Sequence, residues 1–414
     1  MARVSMIVWN TFQNDARVLK EAETLAGQGH GVTVFALLQP GETPEHEVLA
    51  PGLEVRRVSR MPLRALGRLF RPDGSRPPRE VRAGVGGAFV DAPLRSSRLR
   101  RAGEVLARSA THLGLWRALV ASRPDVVHAH DVNTLPTAWA AARRAGARLV
   151  YDAHEISTDR EGYRELRGPI AWAESRLMPR AAATITTTLM RAKFFARAYG
   201  VPRPLVLQNR PRFAEPARGT LIRDRLGLAD GLPIVLYQGG LQPGRGLEDL
   251  VVALPELPPC HLVLIGGGRL REGLGAMAAE RGLGGRVHFV PTVPLAGLLA
   301  WTASADIGVQ PIRNTCLNHL STDSNKLFEY AMAGLPVVAS DFPEIRRVVR
   351  AHDIGLLFDP EAPGALAAAL GRLVADAGQR ARLAANARAA ARALSWEAQE
   401  GELVRLYARV LGRS

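Results

Sequence analysis

Residues 324–341 read Ser-Asn-Lys-Leu-Phe-Glu-Tyr-Ala-Met-Ala-Gly-Leu-Pro-Val-Val-Ala-Ser-Asp, which predicts a helix followed by a short buried strand. Ser324 is a residue type that suits a helix N-cap, and Gly334 with Pro336 would end the helix. Lys326 and Glu329 are three residues apart, so they share one helical face and are predicted to face the same cleft. A solvated surface ion pair is the alternative interpretation of these two charges.

On both sides of this stretch, short apolar runs alternate with amphipathic stretches, which favours an α/β fold with parallel sheets. The predicted strands are Val4–Trp9, Val32–Leu37, Asp125–His130, Arg148–Asp152, Ala182–Thr187, Ile234–Gln238, His261–Ile265, Val287–Val290, Ile307–Gln310, Val337–Ser340 and Gly355–Phe358. The predicted helices cover 16–28, 135–145, 189–199, 362–391 and 395–411. Two Rossmann-like domains would bind ligands at the carboxyl ends of their strands.

Proline-rich stretches indicate where the domain boundaries lie. Residues 1–208 are predicted to form the first domain, 209–217 a linker, and 218–394 the second domain. Residues 395–414 are predicted to form a C-terminal helix that packs back on the first domain.

Positive charge is concentrated in one segment of the 414-residue chain. The chain carries a net charge of +15, and fourteen arginines against four carboxylates lie between Arg56 and Arg108. The Arg/Pro-rich stretch of about 56–115 is predicted to be a loop-like insertion with short helical pieces. Three interpretations remain for it: a solvated basic surface, a contact with an anionic membrane or a phosphate-bearing acceptor, and nucleic-acid binding. The near absence of aromatic residues for base stacking disfavours nucleic acid.

The composition excludes membrane-spanning, secreted, fibrous and disordered proteins. The two cysteines, Cys260 and Cys316, cannot build a disulfide framework and lack the spacing of a metal site. No apolar run approaches the roughly 18–20 residues of a membrane span. We therefore expect a globular cytoplasmic protein.

Two glycine-rich turns follow predicted strands of the second domain. They are Tyr237-Gln-Gly-Gly-Leu-Gln-Pro-Gly-Arg-Gly246 and Ile265-Gly-Gly-Gly-Arg269. Glycine lets a backbone approach a phosphate closely, and a helix N-terminus favours negative charge. Arg245 adds a guanidinium that can pair with two phosphate oxygens. Tight packing of the turns is the competing explanation.

These motifs together resemble the retaining nucleotide-sugar glycosyltransferases of family four, the group 1 transferases with the GT-B fold. The resemblance extends to Asp-Ala-Arg-Val-Leu-Lys-Glu-Ala-Glu-Thr-Leu-Ala at 15–26, Asp-Val-Val-His-Ala-His-Asp at 125–131 and Tyr-Asp-Ala-His-Glu at 151–155. It implies two Rossmann-like domains that face each other across a cleft, with the C-terminal helix crossing back to the N-terminal domain. The insertion is the part that matches least.

The resemblance also implies roles for individual residues. The catalytic set is His130, Arg245 and Lys326. The donor-nucleotide set is Gly239, Gly240, Arg245, Gly266, Gly268, Asn325, Lys326, Leu327 and Glu329, with Glu329 on the ribose. The acceptor-side set is Asn14, Asp15, Arg17, Asp131, His154 and Glu155. His128 is interpreted as a packing residue that points away from His130.

The family pattern is broken at two positions. Gly240 stands where the family has its first cation, and Ser321 stands where it has the first of two glutamates; Asp323 lies nearby but out of register. No Asp-x-Asp pair is present, and the family needs no metal, so neither a metal nor another cofactor is expected.

The implied reaction is transfer of a hexose from a nucleoside-diphosphate sugar to an acceptor hydroxyl, with retention, in polysaccharide, glycolipid or secondary-metabolite biosynthesis. The acceptor would be a sugar, a lipid-linked sugar or a small molecule. An anionic membrane surface is a further predicted partner, at the inner face of the membrane. The alternatives are a GT-B epimerase or phosphorylase, a catalytically impaired sugar-nucleotide-binding protein, and a nucleic-acid binder. A phosphorylase would need a pyridoxal-bearing lysine, for which the sequence offers no matching context.

Overall fold

The computed structural model describes residues 1–60, 98–159 and 166–412. The strands of the first domain are β1 (Arg3–Ile7), β2 (Gly31–Leu38), β3 (His46–Ala50), β4 (Leu53–Ser59), β5 (Val126–His130), β6 (Arg148–Ala153), β7 (Ala183–Thr186) and β8 (Leu205–Val206). Its helices are α1 (Ala16–Gly27), α2 (Arg98–Ala121), α3 (Leu135–Ala145), α4 (Arg167–Leu177) and α5 (Leu189–Tyr199). The sheet order is β3-β4-β2-β1-β5-β6-β7-β8, and only the β3–β4 pair is antiparallel.

A second sheet follows the predicted linker. Its strands are β9 (Ile234–Gln238), β10 (His261–Ile265), β11 (Val287–Val290), β12 (Ile307–Gln310), β13 (Val337–Ser340) and β14 (Gly355–Phe358). The helices are α6 (Leu221–Leu226), α7 (Leu247–Ala253), α8 (Arg271–Glu280), α9 (Leu295–Thr302), α10 (Leu317–Leu320), α11 (Asn325–Met332), α12 (Pro343–His352), α13 (Ala365–Ala375), α14 (Ala377–Ala390) and α15 (Glu400–Val410). The order is β11-β10-β9-β12-β13-β14, and every neighbouring pair is parallel.

Continuous apolar sequence explains why these strands lie at the centre of each domain. Every residue of β9, β10, β12 and β13 is buried, as expected for parallel strands that helices cover on both faces. The predicted α/β class and two-domain GT-B arrangement are confirmed.

The C-terminal helix returns to the first domain, as predicted. Leu403, Leu406 and Tyr407 of α15 pack into the core cluster that β1, β2 and α1 form. The indole Nε1 of the buried Trp396 donates a hydrogen bond to Thr24 Oγ1 at 2.9 Å. The helix begins at Glu400, because residues 395–399 form turns.

Regular structure reaches into both ends of the predicted insertion. Residues 56–59 belong to β4, which pairs with β2, and residues 98–115 belong to the 24-residue helix α2. Residues 61–97 lie outside the described part of the chain and carry seven of the fourteen arginines of the basic segment. Within the described residues, no helix is both long enough and apolar enough to span a bilayer.

Candidate active site

The two domains meet around the short helix α10, beside the carboxyl ends of β5, β6 and β12. Asn318 of α10 bonds both backbone groups of Ile156, with its Oδ1 accepting from the N–H at 2.8 Å and its Nδ2 donating to the carbonyl at 2.9 Å. Arg191 of α5 reaches across to the Asn318 carbonyl at 3.1 Å. These contacts bring the predicted donor and acceptor residues to one cleft.

The glycine turns after β9 and β10 pack directly on each other. Gly239 N–H bonds the Ile265 carbonyl and Leu241 N–H bonds the Gly267 carbonyl, each at 2.9 Å. A Cβ on Gly266 would lie 2.1 Å from the Gly239 oxygen, and one on Gly268 would lie 2.2 Å from the Leu241 oxygen. Gly266 and Gly268, predicted to contact the donor, are therefore explained by backbone packing. Gly239 and Gly240 are exposed.

Two cations face the Gly239 turn. Burial lowers the pKa of the Lys326 ammonium to about 7, and the neighbouring Arg245 guanidinium contributes to the decrease. Lys326 Nζ lies 3.3 Å from Ser324 Oγ and 5.1 Å from the centre of the Tyr237 ring. Among the described residues, no carboxylate lies within ion-pair distance of either cation. Within the part of the chain that the structure describes, neither cation forms an ion pair, and Glu329 acts on Lys326 only from a longer distance.

The start of α11 differs from the prediction at two residues. Ser324 has φ +57 and its side chain makes no cap hydrogen bond, so the first turn of α11 has no side-chain acceptor from its predicted N-cap. The Leu327 side chain is fully buried in the core, and its N–H bonds the Ser324 carbonyl. Leu327 is therefore a packing residue and not a donor contact, whereas Asn325 is exposed beside the cleft.

Glu329 lies one turn along α11 and is half-buried. Its Oε2 accepts a hydrogen bond from Gln238 Nε2 at 2.5 Å. Its charge raises the pKa of Lys326, so the two side chains lie near each other, as their spacing predicts.

His130 and His154 carry different charges although they are neighbours. His130 Nδ1 lies 3.4 Å from His154 Nε2, and burial lowers the pKa of His130. Burial also opposes the charged form of His154, but the carboxylates of Asp131 and Asp152 outweigh it and raise its pKa to about 9. His154 Nε2 contacts Asp152 Oδ2 at 3.0 Å. At neutral pH the cleft therefore contains a neutral His130 beside a positively charged His154.

Arg17 has a structural position, which corrects its assignment to the acceptor or diphosphate border. Its side chain is 4% exposed, donates to both Asp152 oxygens at 2.8 and 3.0 Å, and reaches the Leu207 carbonyl at 2.6 Å. Burial opposes ionisation of the Asp152 carboxyl group. The charge of Arg17 nevertheless helps to hold the pKa of Asp152 well below its usual range. Arg17 thus acts on the histidines through Asp152.

The other predicted acceptor-side residues have mixed environments. Asp15 caps α1, with its Oδ1 accepting from Val18 N–H at 3.2 Å, and Asn14 is exposed. Asp131 has φ +62 and lies 3.6 Å from His154 Nδ1. Glu155 is half-buried, and its charge offsets part of the decrease that burial causes in the pKa of Arg191.

His128 lies on the same strand face as His130, so its predicted opposite orientation is wrong: residues two apart on a strand share a face. The two rings stack with centroids 4.2 Å apart, and His128 Nδ1 lies 2.9 Å from the Tyr407 hydroxyl. Together with Glu21 and Asp152, the two histidines form a buried cluster in which the candidate ligand atoms all lie within 4.8 Å of one another. The cluster does not fit a metal, because stacked rings only 28° apart do not converge on one ion and Arg17 already bridges both carboxylates.

The two departures from the family pattern have different surroundings. Ser321 is buried, and its Oγ accepts from Arg191 Nε at 3.2 Å. Asp323 accepts from Gln208 Nε2 at 2.6 Å, and burial raises its pKa. Neither therefore restores a free acid to the cleft. Gly240 leaves the turn open where the family has a cation.

Three site residues were not predicted. Tyr237 lies under Lys326, and Gln238 contacts Glu329. Burial and the nearby Arg245 lower the pKa of His319 on α10 to about 4, which keeps this ring neutral. Tyr237 and Gln238 could have been found from their place at the end of the strand before the glycine turn; His319 has no comparable signal.

Two family models match the chain. Residues 220–390 match "Glycosyl transferases group 1", and residues 15–210 match "Glycosyl transferase 4-like domain". A D-inositol 3-phosphate glycosyltransferase from Xylanimonas cellulosilytica is 29% identical over 418 residues, covering 96% of this chain and 91% of the relative. The enzyme of the same name from Thermomonospora curvata is 28% identical, covering 94% and 89%.

Solved structures share the fold at lower identity. Sucrose-phosphate synthase from Thermosynechococcus elongatus superposes with a TM-score of 0.79 at 19% identity, and each chain is covered completely. Anabaena Alr3699/HepE in complex with UDP-glucose gives a TM-score of 0.71 at 17% identity, covering 99% of this chain and 100% of that one. The matched residues span both domains and the cleft between them, and the chain belongs to the group 1 glycosyltransferases.

Proposed function

We propose that the cleft moves a hexose from a nucleoside-diphosphate sugar to an acceptor hydroxyl, with retention at the anomeric carbon and without a metal ion. One observation carries the proposal: Arg245 and Lys326 lie together beside a glycine turn, without a carboxylate partner among the described residues. A buried cation without a counter-ion is costly unless a ligand supplies one. A diphosphate would supply this negative charge.

Under this proposal each group has a chemical task. Negative charge builds on the leaving diphosphate as its bond to the sugar breaks, and Arg245, Lys326 and the amides at the start of α11 stabilise it. Glu329 accepts hydrogen bonds from the ribose. His130, neutral because burial lowers its pKa, exchanges hydrogen bonds with a sugar hydroxyl. A phosphate oxygen takes the proton of the attacking hydroxyl, so no protein base is needed.

The first substrates to test come from the similar proteins. Alr3699/HepE was solved with UDP-glucose, and the curated relatives are named for D-inositol 3-phosphate. A thermal-shift panel of UDP-, GDP-, ADP- and dTDP-sugars would identify the donor, because a bound ligand raises the apparent stability. The anomeric configuration of the product tests retention. Conversion of the donor sugar without an acceptor would instead indicate an epimerase.

Arg245→Ala provides the decisive variant. We expect kcat/KM to fall about 10²–10³-fold, the scale for losing one preorganised charge-stabilising group. Lys193→Ala, at an exposed position of α5, is the control and should match the wild type. Turnover near the wild-type value in Arg245→Ala would remove this residue from the diphosphate site.

We further propose that an anionic membrane surface is a partner, through the basic segment of about 56–115. Its net charge of +10 supports electrostatic attraction of roughly 1 kcal/mol per arginine near the surface. Sedimentation with liposomes should show binding that rises with anionic lipid and falls with salt. Changing Arg64, Arg68, Arg71, Arg98 and Arg101 to Gln should abolish it without altering nucleotide affinity. A wild-type protein that ignores anionic liposomes at low salt would exclude this partner.

A further inference from the structure

Gln238, the last residue of β9, lies between Glu329 and a buried threonine. Its side chain is 2% exposed, with Nε2 2.5 Å from Glu329 Oε2 and Oε1 2.8 Å from Thr302 Oγ1. Thr302, at the end of α9, is completely buried. We infer that Gln238 and Thr302 are positioning residues that fix the Glu329 carboxylate for recognition of the nucleotide ribose.

The direction of the hydrogen bonds follows from the chemistry of the three groups. A carboxylate accepts hydrogen bonds and cannot donate them, so the Gln238 amide must present its NH₂ to Glu329. Its carbonyl oxygen then faces Thr302, whose hydroxyl oxygen lies 2.8 Å from it and also 2.8 Å from the Leu298 carbonyl, so the single hydroxyl proton is shared between two acceptors. Rotating the amide by half a turn would place two acceptor oxygens together beside Glu329. The charge of Glu329 therefore selects the amide orientation, and Thr302 supports it by donating to the amide oxygen.

The backbone of Gln238 is held as firmly as its side chain. Its N–H donates to the Tyr330 hydroxyl at 3.3 Å, and that hydroxyl lies 3.1 Å from the Leu236 carbonyl. Tyr330 can occupy this place because residue 308 is glycine: a Cβ there would lie 2.5 Å from the ring. Tyr330 is one residue beyond Glu329 on α11. Strand and helix are thus fixed relative to each other at the residue that contacts the ligand.

This arrangement should make the site distinguish nucleotides that carry ribose hydroxyls from nucleotides that lack them. Gln238 occupies one oxygen of Glu329 and fixes the plane of the carboxylate, which leaves the other oxygen for a ribose hydroxyl. Hydrogen bonds to a preorganised charged group discriminate strongly against a ligand that lacks the hydroxyl. The inference rests on the proposed function, because it requires that Glu329 binds the ribose.

The test compares the affinity for UDP with that for 2′,3′-dideoxy-UDP; the guanosine or adenosine pair replaces them if the panel selects another base. The wild type should prefer the ribose form by about 10–100-fold, the scale for a hydrogen bond to a charged group. Thr302→Val, which removes only the hydroxyl, should reduce this preference to a few-fold at most, with the affinity for the dideoxy ligand unchanged. Thr302→Ser, which keeps the hydroxyl, should restore the preference.

A second variant covers the case in which Thr302→Val does not fold. Gln238→Glu keeps the shape but places two carboxyl groups within hydrogen-bond distance, so they must share a proton. The ribose preference of this variant should change with pH between 5 and 9, while that of the wild type stays constant. A purely structural role would change the melting temperature without affecting the preference.

The possible results separate the two proposals. An unchanged ribose preference in Thr302→Val and a pH-independent preference in Gln238→Glu would overturn the positioning role and leave the proposed function intact. A wild type that binds none of the nucleoside diphosphates would overturn both. A wild type that binds them without any ribose preference would overturn the positioning role and the assignment of Glu329, but not the diphosphate site.

Discussion

If Lys326 binds the diphosphate as proposed, donor binding should depend on pH. With a pKa of about 7, half of these side chains are neutral at pH 7 and nearly all are neutral at pH 9. A bound diphosphate favours the charged form and raises this pKa. If the bound lysine stays protonated, the affinity for the donor should fall about fiftyfold between pH 7 and pH 9, because the protein must first take up a proton.

Isothermal titration calorimetry in two buffers of different ionisation enthalpy measures this uptake directly. We expect about half a proton per bound donor at pH 7 and about 0.9 at pH 8, from the same pKa. The ligand should be a nucleotide sugar such as UDP-glucose, because each of its phosphorus atoms carries one ester and one anhydride linkage, which leaves no phosphate proton that titrates in this range. Lys326→Met should abolish the uptake, whereas Lys193→Met, at an exposed site, should preserve it.

The same pKa has a consequence for the free protein. Between pH 7 and 10.5 the unfolded chain binds more protons at this lysine than the folded protein does, so Lys326 makes the free energy of unfolding rise with pH in that range. Lys326→Met should remove this contribution. Donor affinity that stays constant from pH 7 to 9, or proton uptake that persists in Lys326→Met, would refute the assignment of Lys326 to the diphosphate.

Gly266→Ala should destabilise the protein by about 2–4 kcal/mol, because its Cβ would collide with the Gly239 carbonyl at φ +140. Gly267→Ala is the matched control: its Cβ would meet only Thr292 Oγ1 at 3.6 Å, and equal melting temperatures would contradict the packing argument. The free energy of unfolding of the wild type should fall relative to that of Glu21→Gln as the pH rises from about 5 to 8. Burial raises the pKa of Glu21 to about 8, so the folded wild type binds more protons than the unfolded chain there and loses stability; parallel pH profiles of the two proteins would contradict this.

The sequence predicted the buried elements well because their apolar patterns are strong. Strands β9 to β14 have the predicted bounds, and α3 and α5 begin and end where the periodicity and the following glycine indicate. The hairpin of β3 and β4 was missed because its strands are mixed in burial: β3 is largely exposed and β4 alternates. Helix α2 was predicted as short pieces because its first residues are rich in arginine, but its C-terminal half packs Leu115 and Leu119 into the core.

Site residues were predictable where one local motif carries the chemistry, and not where distant elements meet. Lys326 and Glu329 share a helical face, which their spacing alone shows. The contact of Gln238 with Glu329 joins residues 91 apart, and that of Arg191 with Ser321 joins residues 130 apart. The positive φ of Ser324 likewise depends on the surrounding fold, because serine rarely adopts it unaided.

The two walls of the cleft differ in how their charges are balanced, and this difference indicates the order of events in the reaction. On the acceptor side, Arg17 and His154 are held by Asp152 and Asp131, so these charges are already neutralised and the groups are fixed before any ligand arrives. On the donor side, Lys326 is held partly neutral by burial and by Arg245. Under the proposed function, a bound diphosphate would complete the balance. Binding of the donor should therefore charge the lysine at the point where the leaving group develops its own charge, which concentrates the electrostatic stabilisation on the bond that breaks.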